Sequence, residues 1–359
     1  MVYHITLRNL EINMKVLLPI SYFNRKRGPG QAAVGLARGL SHFTDVTILT
    51  YDSEVDLEEF KVYEDLKPPS IYHLPYNSLK IKKFSKDKDI IYLPVSVGII
   101  STAYLTNPLK KMVGGPNVNH NFERKMLLDH FITHGEHRRQ QFIEGHNLSP
   151  DKVSAIGLPV ESDIYNPERN DKEILNYKKE GFINILYAGR LHEKKGSLNL
   201  TKAFNELSGK YDAKLHICGK GPQQEQIEKY AEKCNNIHYH GFVSDERLAN
   251  LYASVDIGCF PSRWEGFGLV YLECMASETA TIGVDTSGPK EIMTHRGDGY
   301  LLEDNSIGSI ENGLTELIEN EELRDKLARN GKNTALTDYS PKNIASKLYR
   351  IFQDVLGLR

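Results

Sequence analysis

The chain has 359 residues, 40% hydrophobic and 26% charged, which suits two domains of ordinary size with cores of their own. Its formal net charge of −2 argues against nucleic acid as the main partner. Residues 1–160 carry 20 Lys/Arg against 16 Asp/Glu (+4) and the remainder 25 against 31 (−6); a mildly basic first half suits an anionic ligand or a membrane surface, though so small a difference is usually a solvated face.

The N-terminus lacks the basic-then-apolar pattern of a signal peptide. Met14 opens a Met-Lys-Val-Leu-Leu run, so residues 1–13 read as an upstream extension outside the fold. Predicted strands follow at Lys15–Pro19, Val46–Thr50, Ile71–Leu74, Ile90–Val95, Lys111–Val113 and Phe131–Thr133, with helices at Gln31–Ser41 and Glu136–Glu144 between them. Ile90 to Leu109 is uncharged over a span-like length, but Pro94, Gly98, Asn107 and Pro108 favour a buried strand, a turn and a short helix at Gly98–Thr106. The turn formers of Gly157–Glu161 and Tyr165–Pro167 read as a linker. Beyond it the alternation restarts, with strands at Ile183–Ala188, Lys214–Cys218, Ile237–His240, Val255–Phe260 and Thr281–Val284. Helices at Lys195–Leu207, Gln223–Lys233, Asp245–Ala253 and Leu269–Ala276 connect them, and the C-terminus reads as three helices, Ile307–Glu319, Glu321–Leu336 and Pro341–Val355. Ser340 before Pro341 is a helix start. Apolar runs alternating with helical patterns predict an α/β fold of two Rossmann-like doubly wound domains, 14–165 and 166–340, facing a cleft, with the helix of 341–359 packing back toward the first. Cys218, Cys234, Cys259 and Cys274 form no CxxC pair and read as reduced core residues of a cytosolic protein.

Four loops carry chemistry. Asn24–Gln31, with Gly28 and Gly30, follows a strand and opens a helix, where a helix N-terminus favours phosphate; it lacks the full G-x-G-x-x-G spacing. Ala188–Gly196 sits after the first strand of the second domain and supplies Arg190 at the strand end and Lys195 at the expected helix start, a fork and a point charge for a diphosphate. Cys218-Gly219-Lys220-Gly221-Pro222 repeats the strand-to-helix turn and is equally well a tight turn alone. Phe260–Glu273 places Glu265 in a loop and Glu273 on the following helix, with Gly266 and Gly268 leaving backbone N–H groups near the helix start. A carboxylate there can take two vicinal sugar hydroxyls.

Glu265 to Glu273 with the internal Gly-Phe-Gly resembles the E-x7-E signature of retaining GT-B glycosyltransferases of the large fourth family, glycosyl transferases group 1. Gly189-Arg190 through Lys195-Gly196 resembles its phosphate clamp, Leu251–Asp256 its lead-in helix and strand, and Ser287-Gly288-Pro289-Lys290-Glu291 its later Gly-Pro-Glu turn. The resemblance is strong over about 183–300 and looser over 14–165. It implies an acceptor-side first domain and a donor-nucleotide second domain. Glu265, Gly266, Phe267, Gly268 and Leu269 would hold the donor sugar, Glu273 the ribose, and Arg190 and Lys195 the leaving diphosphate. Gly30 would lie beside the phosphates, and Gly219 and Phe242 on the nucleotide side. Glu265, Arg190 and Lys195 are the catalytic candidates. The family often places a His just after the fifth strand; Val113–His120 aligns none there, and Asn117, Asn119 or His120 stand in on the acceptor side.

The implied reaction moves a hexose from an NDP-sugar to a saccharide, lipid-linked or other hydroxyl acceptor with retention, in cell envelope glycan synthesis. No cofactor and no essential metal are expected, and the implied location is cytoplasmic, at the membrane surface or free of it. His130, His134 and His137 straddle a strand and a helix start and make a poor metal set; Asp87-Lys88-Asp89 reads as a solvated turn. The lysines at 80, 82, 83, 86 and 88 fit a solvated loop or anionic lipid. An epimerase of the same fold or a non-catalytic sugar-nucleotide-binding protein is the competing function.

Overall fold

Residues 14–23, 28–53, 61–67, 74–95, 109–117 and 128–358 are described by the computed structural model. The chain divides into two units, 1–131 with 345–359, and 132–344. The 157–167 stretch expected as a linker is counted within the second unit.

Seven strands form the first sheet: β1 (Lys15–Phe23), β2 (Asp45–Ser53), β3 (Lys61–Tyr63), β4 (Ile90–Val95), β5 (Lys111–Asn117), β6 (His130–Thr133) and β7 (Val153–Ala155). Their order is β3-β2-β1-β4-β5-β6-β7, and β1 pairs parallel with both β2 and β4. Strands covered on both faces must be apolar almost throughout, which is why Val16, Leu17, Leu18 and Ile20 are all buried. Helix α1 (Gly28–Ser41) buries Val34, Leu36, Ala37 and Leu40. Helix α2 (Leu74–Phe84) corrects the strand expected at Ile71–Leu74: Leu74 opens a helix, and the third strand is β3. Residues 1–13, 71–73 and the helix expected at 98–106 lie outside the described residues.

The second sheet holds β8 (Ile183–Ala188), β9 (Ala213–Cys218), β10 (Ile237–Gly241), β11 (Ile257–Cys259), β12 (Ala280–Val284) and β13 (Tyr300–Leu302). Its order β10-β9-β8-β11-β12-β13 is again 3-2-1-4-5-6, and neighbouring strands pair parallel. Both sheets are therefore doubly wound, as the alternation implied. The helices of this unit are α3 (Glu136–His146), α4 (Lys172–Lys179), α5 (Ser197–Leu207), α6 (Gln224–Lys233), α7 (Asp245–Ser254), α8 (Leu269–Ala276), α9 (Ser287–Ile292), α10 (Ile307–Glu319) and α11 (Glu321–Asp338). Ile185, Leu215, Ile217, Ile257 and Ile282 meet Phe204 of α5 and Leu314 of α10 in one apolar cluster; each such side chain contributes about 1.5–3 kcal/mol of burial.

The last helix, α12 (Pro341–Leu356), starts as its sequence implied. Ser340 Oγ accepts the Asn343 N–H at 3.2 Å, and Pro341 occupies the first turn, where no N–H is needed. Leu348 and Phe352 are buried; Phe352 meets the Tyr92 ring at 5.6 Å and Tyr349 stacks on Phe43 at 5.5 Å, within the first unit. No described helix is long and apolar enough to cross a membrane.

Candidate functional site

In a doubly wound sheet the two strands on either side of the order reversal send their following loops apart, which opens a crevice at their carboxyl ends. In the second sheet those strands are β8 and β11. The loops after them supply the Arg190–Lys195 stretch and the Glu265 motif. A cavity of about 220 Å³ opens there, lined by Tyr187 and Ala188 at the end of β8, by Gly189, Arg190 and Lys195 beyond it, and by Phe260, Ser262, Glu265, Gly268, Leu269 and Val270 after β11.

Backbone geometry fixes the first loop. Gly189 N–H donates to Cys218 O at 3.1 Å and Gly219 N–H to Gly241 O at 2.7 Å, so the ends of β8, β9 and β10 are laced together. Gly219 has φ 136°, and a Cβ there would stand 1.8 Å from the Gly189 carbonyl oxygen. Only glycine fits, and the reason is backbone approach. Tyr187 donates to the Arg190 carbonyl at 3.0 Å; burial raises its phenol well above the usual range, keeping it a neutral donor.

Lys195 does not begin a helix. It ends a 3₁₀ turn, Glu193–Lys195, capped by His192 Nδ1, which accepts the Lys194 N–H at 3.1 Å. Gly196 then takes φ 70°, and α5 opens only at Ser197. A Cβ on Gly196 would meet the Pro261 carbonyl oxygen at 2.2 Å. The chain thus turns tightly against the second loop, and Arg263 N–H donates to Lys194 O at 2.9 Å. The result is an ion pair between Lys195 Nζ and Glu265 Oε2 at 2.5 Å, with the Glu265 side chain 17% and Lys195 32% exposed.

The second loop is braced from behind. Ser287 Oγ donates to the Glu265 carbonyl at 3.1 Å. A Cβ on Gly288 would stand 2.6 Å from Phe267 O and 3.0 Å from Glu265 O, so α9 packs directly on the loop. The stretch expected as a Gly-Pro-Glu turn is this short helix. Its Glu291 accepts the Glu136 and His137 N–H groups at 2.6 and 2.9 Å and so caps α3. Gly268 takes φ 97° ahead of α8, where a Cβ would strike the Tyr271 ring at 2.4 Å. Leu269 and Val270 follow on the cavity wall, in the first turn of α8, where helical N–H groups lack intrahelical partners. Beneath lie buried rings: Phe260 meets Tyr271 at 5.6 Å, Tyr252 at 6.3 Å and Tyr187 at 6.5 Å. Trp264, immediately before Glu265, is 50% exposed.

The cavity therefore gathers Arg190, Lys195, Glu265, Gly268 and Leu269 from among the sequence candidates. Lys195 pairs with Glu265, and Arg190 lines the same cavity beside a helix N-terminus, a combination that favours an anion. Tyr187, Ser262 and Val270 join them without having been singled out; only their places next to the strand end and the motif could have indicated them. Glu273 is not among the lining residues. It sits one turn deeper on α8, 8% exposed, and Tyr252 OH donates to its Oε2 at 3.4 Å. Gly266 and Phe267 adjoin lining residues in the chain and Gly219 packs on Gly189, but none of the three lines the cavity; Phe267 is buried, 5.8 Å from the Tyr339 ring. Phe242 follows β10 and is strongly exposed. In the first unit Gly28 and Gly30 form the first turn of α1, and Asn117 ends β5. Asn119, His120 and residues 24–27 lie outside the described residues.

Among the described residues no three His, Cys, Asp or Glu side chains converge as a metal set. His137 Nε2 pairs with Gln141 at 2.8 Å, and burial with the nearby Arg138 holds His134 down to about 4. Asp87 pairs with Lys88 at 3.3 Å. Away from the cavity, β9 and β10 carry a histidine stack: His216 and His238 at 5.2 Å, His216 and His240 at 5.4 Å, with Tyr177 of α4 over the first two. His216 Nε2 pairs with Asn184 Oδ1 at 3.1 Å. Burial, aided by His240, His238, Lys214 and Arg247, holds His216 down to about 2.

Residues 168–334 match the sequence profile of the glycosyl transferases group 1 family. A glycosyltransferase of Methanocaldococcus jannaschii is 27% identical over 237 residues, 63% of this chain and 61% of that relative, so the match spans about three fifths of its length. A solved glycosyltransferase from Rickettsia africae superposes with a TM-score of 0.76 over 96% of this chain and 99% of its own, at 18% identity. An Anabaena protein solved in complex with UDP gives 0.74 over 95% and 100%, at 15% identity. At these identities the likeness is one of fold.

Proposed function

We propose, from the membership of residues 168–334 in the glycosyl transferases group 1 family, that this chain transfers a hexose from a nucleoside-diphosphate sugar to a hydroxyl of a saccharide or lipid-linked acceptor, with retention at the anomeric carbon. The observation that carries the reading is the convergence of Arg190, Lys195 and Glu265 with the first turn of α8 on one cavity. As the anomeric C–O bond breaks, negative charge builds on the diphosphate oxygen. Groups placed there act more strongly on the transition state than on the ground state. Arg190 offers a fork, Lys195 a point charge, and the first turn of α8 free N–H groups. The acceptor oxygen bonds the anomeric carbon on the face the diphosphate leaves, and its proton passes to the departing diphosphate oxygen.

Glu265 takes sugar hydroxyls, while the two cations supply the charge neutralisation that a divalent ion gives in other transferases. The UDP held by the Anabaena protein of the same fold supports a nucleoside diphosphate as the donor's leaving group. A thermal-shift screen of UDP-, GDP- and ADP-sugars finds the donor, because a ligand that binds only the folded state raises the melting temperature. Turnover of that donor with a panel of saccharide acceptors, read by NMR of the product anomer, then tests the reaction. An inverted product, or nucleotide release from none of the donors, overturns the reading.

A further inference from the structure

The Lys195–Glu265 pair sets two demands against each other. A diphosphate on Lys195 and the carboxylate of Glu265 compete for one ammonium, since the pair is closed at 2.5 Å. Glu265 is anchored by its main chain, whose carbonyl accepts from Ser287 Oγ at 3.1 Å. With the side chain only 17% exposed, a carboxylate deprived of its cation loses an interaction that water replaces only in part.

Sugar hydroxyls can make good that loss. A hexose on the diphosphate brings vicinal O–H donors to the carboxylate at the moment Lys195 turns to the phosphate. A bare nucleoside diphosphate brings none. We infer that Glu265 makes the site select the sugar nucleotide over the bare nucleotide, by holding Lys195 against any diphosphate that arrives without a sugar. The same exchange acts after transfer: once the sugar has left, the ion pair re-forms against the product and hastens its departure. This rests on the reading of Lys195 as a diphosphate ligand under the proposed function. The coupling is a binding free energy between neighbouring groups, so a double-mutant cycle measures it.

The test is calorimetric binding of UDP and UDP-glucose, GDP and GDP-mannose, and ADP and ADP-glucose to the full chain. The proteins are wild type, Glu265→Gln, Lys195→Ala and the double variant, each checked by melting temperature. Wild type is expected to prefer the sugar nucleotide. In Glu265→Gln the bare nucleotide of the recognised pair binds on the order of ten-fold more tightly, the scale of one partly shielded charge pair, and the preference shrinks by the same factor. Lys195→Ala weakens both ligands, and adding Glu265→Gln to it gives no tightening. Should Glu265→Gln not fold, Glu265→Asp, with its reach shortened by one methylene, is read the same way. Unchanged or weaker bare-nucleotide binding in Glu265→Gln, with Lys195→Ala still weakened, overturns the selection and leaves the proposed function standing. Unaltered binding in Lys195→Ala, or no binding by any pair, overturns both.

Discussion

Two carboxylates of one motif, eight positions apart, meet opposite surroundings. Glu265 stands on a cavity wall against a lysine from another loop. Glu273 is one turn inside α8, 8% exposed and beside a fully buried tyrosine. A motif written as letters and spacing treats its two ends alike. The fold does not: the loop end is held by α9 and Gly196 with its carboxylate on Lys195 in the cavity, whereas the helix end is packed with Tyr271, Leu272, Cys274 and Met275. The loop half should therefore answer to substitution in turnover, and the helix half in affinity and stability together.

The largest expected effect sharpens the loop side. Arg190→Ala and Lys195→Ala should each cut kcat by roughly 10²-fold, the scale of one preorganised charge contact, while the melting temperature holds because both side chains line the cavity. Arg190→Lys should recover only part, since an ammonium lacks the guanidinium fork. Steady-state rates beside thermal melts check this, and a collapse of melting temperature would break the contrast. Next, Gly219→Ala should cost about 2–4 kcal/mol from overlap and a backbone strained at φ 136°; denaturant titration reads it, and a wild-type midpoint would mean the β8 and β9 ends can part.

The same contrast of open against buried applies to the histidines. His216 is held down to about 2, below the 6.5 of the unfolded chain, so the unfolded state takes up the proton first. Stability should be full above about pH 6.5 and fall with acid, by about 1.4 kcal/mol at pH 5.5 for this one group. His238 and His240, also lowered chiefly by burial, add to the slope. Urea titrations between pH 5 and 8 measure it, and His216→Gln should flatten it by nearly one proton. The smallest effect sharpens the helix side: Tyr252→Phe removes the hydroxyl that meets Glu273 and should cost about 1 kcal/mol, with donor affinity falling a few-fold and kcat unmoved. A fall in kcat alone would put Glu273 in the chemistry.

The doubly wound character of both halves was legible because buried parallel strands must be continuous apolar runs, as Ile183–Ala188 and Ile90–Val95 are. β3, β7 and β13 escaped, since three-residue strands carry no period to read; the equally short β11 was found because it lies inside the longer stretch read as Val255–Phe260. Leu74 was misread because a short, largely apolar stretch running up to Pro75 fits a strand end as well as a helix start. Lys195 was placed one element too late: Gly196, in a left-handed conformation, separates its turn from α5, and glycine in a sequence does not declare its φ. The cavity's cations and Glu265 were legible from residue type and their place after strands. The burial of Glu273 was not, and neither was the capping of α3 by Glu291, a contact across 155 residues that local pattern cannot foresee.

Trp264 is the only tryptophan in the chain and sits half-exposed beside Glu265. Red-edge excitation, which passes over the tyrosines, thus lights a single indole on the loop that carries this carboxylate. No label and no engineered background are required to watch that loop in solution. Stopped-flow emission and acrylamide quenching become direct recordings of one segment, with the remainder of the molecule optically silent.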